Sequence, residues 1–390
     1  MCAPQVGIHD STTSDRQVQV KDLILKALFY SGFFKFWLGF RPKSVTFIML
    51  HGVMDADDKN AQWQPFRSYL PRKKLDSSLR ALSHYYTFIS IDEAIDRLEG
   101  RLPLDKHYCV ITFDDGQSNN VTHAMPVLRR YNAPAVLYVV PKQAEIQEPF
   151  WFDRLDFAIQ YAFPLIKELR VFDKTLSMQE FEQNSLKDLF LRVKAELFSS
   201  NHAHEQSLLE LDRIINELER VSGKSLLDIY ANDPWSKVMD WEEIKLASQA
   251  DDITIGSHTQ DHSLLGLIDD DEVLNQLVKS KQEIERNIQK PCLHFCYPNG
   301  SIPHNPEKPL KDSGYLSAVT TKTGITYREK YNRYLINRYH IAVHRDEFFN
   351  LALISGFASY VSQFTRKIKF WKKTTHPFKE KKGNREILTR

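Results

Sequence analysis

An α/β fold, a distorted (β/α) barrel of about seven strands with a mostly helical insertion, is what the sequence predicts. Three observations predict it. Short apolar runs recur along the chain, each followed by sequence of helical period, which argues for a mostly parallel sheet or a closed barrel. Several runs are apolar throughout, as strands covered on both faces must be. Seven such units favour closure over an open sheet. A hydrophobic content of 42% against 26% charged residues excludes a disordered, collagen-like or repeat-dominated chain.

The elements follow in order. Residues 1–42 form a first region, in which 1–20 reads as a polar leader and 23–40 (LILKALFYSGFFKFWLGF) as an amphipathic, interfacial helix. Lys26 and Lys35 make spanning a bilayer costly, whereas Leu23, Ala27, Tyr30, Phe34 and Trp37 recur at helical spacing. Packing on the flank of the domain is the competing reading of that stripe. The leader lacks the basic region, apolar core and small-residue cleavage site of a signal peptide. A cytoplasmic protein, or one peripheral on the inner face of a membrane, is therefore expected.

Residues 43–345 hold the barrel, with strands expected at 45–50, 109–113, 135–140, 253–256, 293–297, 317–320 and 335–341. Helices are expected at 77–99, 119–131, 241–249, 271–288 and 306–313. Between the third and fourth strands about 110 residues show helical stripes and no good strand, so a helical insertion is expected at about 150–240. Residues 346–390 read as a C-terminal helix and a basic tail. The net charge of +2 conceals that division: residues 366–390 carry +8, which leaves −6 for the rest. Such a tail suits an anionic membrane surface, while no motif accompanies it that would support nucleic-acid binding. The four cysteines (Cys2, Cys109, Cys292, Cys296) form no disulfide framework and no C-x-x-C spacing.

Chemistry concentrates at strand ends. Ile111-Thr112-Phe113-Asp114-Asp115-Gly116 places two carboxylates after an apolar strand, where parallel α/β proteins assemble active sites. Adjacent carboxylates repel unless a cation or proton separates them, so a metal plus a general base is a natural division of labour. Gly256-Ser257-His258-Thr259-Gln260-Asp261-His262 also follows a strand, and a helical turn would set both imidazoles on one face toward one metal. Tyr297-Pro298-Asn299-Gly300 is a turn whose backbone amides can act as oxyanion donors.

Together, in this order, these motifs resemble the polysaccharide deacetylases, the NodB-homology group of carbohydrate esterases. The likeness runs from Val45 to about His344 and includes Phe47 to Val53, Asn119 to Tyr131, Gly314 to Thr321 and Ile336 to Tyr339. Trp151-Phe152-Asp153-Arg154 and Tyr-Pro-Asn-Gly resemble bacterial members linked to exopolysaccharide or lipopolysaccharide assembly. The resemblance implies a hydrolase that removes N-acetyl or related acyl groups from amino sugars of a bacterial surface polysaccharide or its lipid-linked precursor. It implies Asp114 as general base, Asp115, His258 and His262 as metal ligands, and Asn299 as an oxyanion donor through its backbone amide. His-rich ligation favours zinc, with cobalt, nickel and iron compatible with the same ligand types.

The chain departs from that pattern in three places. Cys296 stands where many members have arginine, and Asn299 replaces a common aromatic residue. The histidine that usually supplies the general acid has no clear counterpart. His340 is the candidate acid, His344 its neighbour, and His51 a further histidine at the pocket; Tyr297 and Arg338 are candidates for contact with the oxyanion or substrate. Two other readings follow from the missing acid and the shared ligand types: a non-catalytic glycan-binding or scaffold protein, and a metal amidohydrolase acting on a small non-sugar amide.

Overall fold

In the computed structural model, residues 12–55, 61–181, 186–199 and 204–362 are described; residues 1–11 of the leader and the basic tail at 366–390 lie outside them. Among the described residues ten strands follow in chain order: β1 (Val45–Leu50), β2 (Thr87–Phe88), β3 (Tyr108–Phe113), β4 (Ala135–Val139), β5 (Glu168–Val171), β6 (Lys174–Ser177), β7 (Ile253–Ser257), β8 (His294–Cys296), β9 (Ser317–Val319) and β10 (Arg338–His340). Seven pair side by side in the order β10-β1-β3-β4-β7-β8-β9, each parallel to its neighbours. The barrel nearly closes where Ile336, just before β10, bridges Val319 of β9. There the Ile336 N–H donates to Ala318 O at 3.0 Å and the Thr320 N–H to Ile336 O at 2.8 Å.

Alternation along the strands separates two apolar layers. Val45 and Phe47, Val110, Val136 and Tyr138, Cys296 and Val319 meet in one cluster drawn from successive strands. Their alternates, among them Ile48, Ile111, Leu137 and Ile255, face the surrounding helices. That is why β3 reads as an unbroken apolar run: all six of its residues are buried. Thr112 and Asp114 continue the parity of Val110, so Asp114 arrives on the inner side at the strand end.

Several expectations are corrected. The helix expected at 77–99 is two helices, Arg72–Ser83 and Ile91–Leu98, separated by β2, which adds to β3. Ser90 caps the second helix by accepting the Glu93 N–H. The leader is helical from Thr12, and 23–40 is not one helix. Helix Thr12–Tyr30 stops at Ser31-Gly32, where Gly32 adopts φ 77°, and Phe33–Gly39 restarts. The insertion contains helices Trp151–Ala162, Leu186–Leu197 and His204–Ser222, but also an antiparallel hairpin, β5–β6. These elements share an apolar cluster of their own that includes Leu155, Ile159, Leu169, Val171, Val193, Leu211 and Ile215.

Candidate active site

At the C-terminal end of β3 the two adjacent carboxylates diverge. Asp114 points inward, where Arg338 of β10 holds both of its oxygens, Nη1 to Oδ1 at 2.7 Å and Nη2 to Oδ2 at 2.8 Å. The same guanidinium donates to Thr112 Oγ1 (2.9 Å), to the Thr320 carbonyl (2.9 Å) and to Cys296 Sγ (3.3 Å). Burial pushes the Asp114 carboxyl up, but the Arg338 charge and its hydrogen bonds outweigh that and hold it below the usual range. Cys296 thus touches the guanidinium that secures Asp114. Its own thiol is pushed well up by burial and stays neutral.

Asp115 turns away because its backbone is left-handed, φ 74°. Its Oδ1 lies 3.6 Å from His258 Nε2 and 3.5 Å from His262 Nε2, with all three side chains buried. Four ligands about 2.1 Å from a tetrahedral ion stand about 3.4 Å apart, so this spacing suits one ion at the centre. His258 Nδ1 donates to the Cys296 carbonyl at 2.8 Å, which leaves its Nε2 lone pair facing Asp115. Burial lowers the His258 pKa to about 4, keeping the imidazole neutral as a ligand must be. Burial pushes the Asp115 carboxyl up, yet His262, His51 and Arg67 hold it far below its ordinary value. The donor set therefore fits a divalent cation. A second trio, Asp114, His258 and Cys296, lies as close. It does not fit, because the Arg338 guanidinium already occupies Asp114 and Cys296.

The two histidines reach one point without a helix. Residues 258–262 form a turn in which Thr259 (φ 64°) and His262 (φ 65°) are left-handed. Asn299 is left-handed too, at φ 51°. Left-handed backbone thus gathers at Asp115, His262 and Asn299, which line one cavity, and at Thr259 beside them in the chain.

That cavity, ≈ 460 Å³, is lined by Asp114, Asp115, His258, His262, Asn299 and His51. The insertion supplies the opposite wall with Phe152, Asp153, Asp156, Phe190 and Lys194. Arg67 joins the two sides: Nη1 donates to Asp115 Oδ2 at 3.0 Å and Nη2 to Asp153 Oδ2 at 2.8 Å. Its guanidinium also lies between the rings of Tyr69 and Phe152, 5.1 and 4.9 Å from their centroids. Gly52 permits this wall, since a Cβ there would fall 2.0 Å from Tyr69 Cε1.

The sequence-derived candidates divide accordingly. Asp114, Asp115, His258, His262, Asn299 and His51 converge on the cavity. Tyr297 does not: it is buried, its ring lies edge-on to Phe295, and its hydroxyl donates to the Tyr334 carbonyl. Arg338 is buried and committed to Asp114, which leaves no donor for a substrate. His340 is exposed at the end of β10, beside Met49 in register, and does not line the cavity. His344 is exposed in a neighbouring groove with Trp235 and Tyr69. Arg67 and Lys194 are additions that no motif in the sequence marks.

The profile of the family described as polysaccharide deacetylase matches residues 101–171 and 192–318, about half of the chain. No curated protein sequence matches. Among solved structures, Streptococcus pyogenes deacetylase PplD in complex with acetate is 15% identical with a TM-score of 0.51, covering 80% of this chain and 99% of that one. IcaB from Ammonifex degensii is 14% identical (TM-score 0.48; 82% and 98% covered). A de-N-acetylase from Aggregatibacter actinomycetemcomitans is 17% identical (TM-score 0.48; 79% and 99% covered). At such identities the likeness to PplD is one of fold, and the family assignment rests on the profile. The chain belongs to the polysaccharide deacetylase family, enzymes that act on the amide bonds of polysaccharides.

Proposed function

We propose that this chain removes the N-acetyl, or a related N-acyl, group from an amino sugar of a bacterial surface polysaccharide or its lipid-linked precursor. One observation carries the reading: two adjacent carboxylates are divided, one gripped by Arg338 and the other facing two imidazoles, at the mouth of a single cavity. Asp115, His258 and His262 would hold a divalent ion, with zinc favoured by the two-imidazole, one-carboxylate donor set. Such an ion supplies Lewis-acid chemistry toward an amide carbonyl.

The chain's own groups perform the rest. Asp114 takes a proton from the attacking water, and Arg338 keeps it ionised and aimed while it does so. The Asn299 backbone amide would donate to the oxygen that gains charge as the water oxygen bonds to the acyl carbon. The carbon–nitrogen bond then breaks, and the departing sugar nitrogen needs a proton. His51 is the lining histidine outside the Asp115 trio and takes that role in place of His340. Its main-chain carbonyl accepts the Asn120 side-chain amide at 2.7 Å, which fixes the segment carrying it. Tyr69, Phe152 and Phe190 offer apolar faces to a sugar ring, and Lys194 an ammonium to a polar substituent.

The test is mass spectrometry of N-acetylhexosamine oligosaccharides incubated with zinc- or cobalt-loaded protein. Loss of acetyl groups and appearance of free amines is expected. Intact substrates across N-acetyl and N-formyl sugars, with the metal fully bound, would overturn the reading.

A further inference from the structure

We propose that the face carrying helices Thr12–Tyr30 and Phe33–Gly39 lies on an anionic lipid surface, with the basic C-terminal segment as its second anchor. The two helices are apolar on more than one side. Leu25, Leu28, Phe29, Phe33 and Trp37 pack on the barrel's outer core, and Phe34 and Leu38 are buried in it. That packing leaves another set uncovered: Leu23 is 67% exposed, Tyr30 72%, Phe36 64% and Phe40 76%. Such a concentration of exposed large apolar side chains within one short stretch marks an interaction surface. Packing on the flank and contact with lipid, the alternative readings of 23–40, are thus served by different residues of the same helices.

The charge around this face identifies the occupant. Lys26, Lys35 and Lys43 are exposed among the apolar residues. The end of the described chain returns to the same place: the Tyr360 and Trp37 rings lie 5.1 Å apart, and the exposed Val361 follows. From there the sequence continues into ten lysines and arginines against two acids over residues 366–390, with Phe370, Trp371 and Phe378 among them. Trp37 and Tyr360, 323 positions apart in sequence, thus lie on one side of the molecule, and the basic segment begins six positions beyond Tyr360. Apolar and aromatic side chains ringed by cations, continued by a basic aromatic segment, complement anionic headgroups over an acyl layer. Among the described residues no helix is long and apolar enough to cross a membrane, so the contact lies in the plane of the surface.

The test sediments the full-length protein with vesicles of phosphatidylcholine alone and with vesicles rich in phosphatidylglycerol, at low and high salt. Partitioning onto the anionic vesicles at least about tenfold stronger, and weakened by salt, is expected. A Leu23→Ser, Phe36→Ser, Phe40→Ser variant and a variant ending at Thr365 should each lose at least about tenfold in partitioning while unfolding as cooperatively as the parent. Should the triple variant fail to fold, the single exposed change Phe40→Glu provides the same comparison. Equal sedimentation with both lipids, no sedimentation, or a face variant that partitions like the parent overturns the proposal. So does a dimer in light scattering that the face variant abolishes, which would assign the surface to a second copy. Release of the face by the chain's own tail, seen as stronger lipid binding after truncation, overturns it as well.

Discussion

Arg338 grips Asp114 through two parallel hydrogen bonds inside the barrel, with both side chains buried. A buried charge is tolerated only when paired and fully bonded, and this guanidinium has further acceptors in Thr112, the Thr320 carbonyl and Cys296. Arg338→Ala should destabilise the fold by about 3–5 kcal/mol, because Asp114 would be left buried and unpaired. Arg338→Lys, which keeps the charge but not the fork, should cost less stability and still lower kcat. Urea unfolding and steady-state kinetics give both numbers; an alanine variant within about 0.5 kcal/mol of the parent contradicts the argument.

The Asp115 trio predicts a metal requirement that is separable from the Arg338 pair. His262→Ala removes one of three ligands, so zinc affinity should fall at least about a hundredfold while the fold persists. Competition with a chromophoric chelator measures it. Unchanged affinity would show that the ion sits elsewhere.

Asp156 predicts a pH dependence of stability. Burial raises its carboxyl to about 6, against about 3.9 in an unfolded chain. Between those values the folded protein keeps a proton that the unfolded chain has lost. The stability from this group is therefore full below about pH 4 and lost as the pH rises through about 6. Asp156→Asn removes that titration. The stability difference between variant and parent should move in the variant's favour by about 2–3 kcal/mol from about pH 4 to pH 7, at about 1.36 kcal/mol per pKa unit. A flat difference across that range refutes it.

The strand ends of the candidate site were legible because their chemistry is written beside the strands that carry it. Asp114-Asp115-Gly116 follows Ile111-Thr112-Phe113 directly, and His258 follows Ile253–Ser257. What local pattern could not reveal was partnership across the barrel. Arg338 stands 224 positions beyond Asp114, and only the pairing of the last strand with the first sets β10 beside β1 and the guanidinium against that carboxylate. The helical turn expected for His258 and His262 failed for a related reason. Thr259 and His262 both occupy left-handed backbone, which a β-branched threonine in particular disfavours, imposed by the tertiary setting. Short strands escaped too: Thr87–Phe88 has two residues and each arm of the β5–β6 hairpin four, too few to show a period. Arg67 left no signal because its role depends on Asp115 and Asp153 arriving from separate elements.

The central claim, that Asp114 acts as base beside a metal held by Asp115, His258 and His262, is tested most directly by acetate release. Zinc-reconstituted parent protein should release acetate from N-acetylhexosamine oligosaccharides. Asp114→Asn should bind zinc equally well yet lose about 10²–10⁴-fold in kcat. A variant that releases acetate at the parental rate, or a zinc-loaded parent that releases none, would contradict the account.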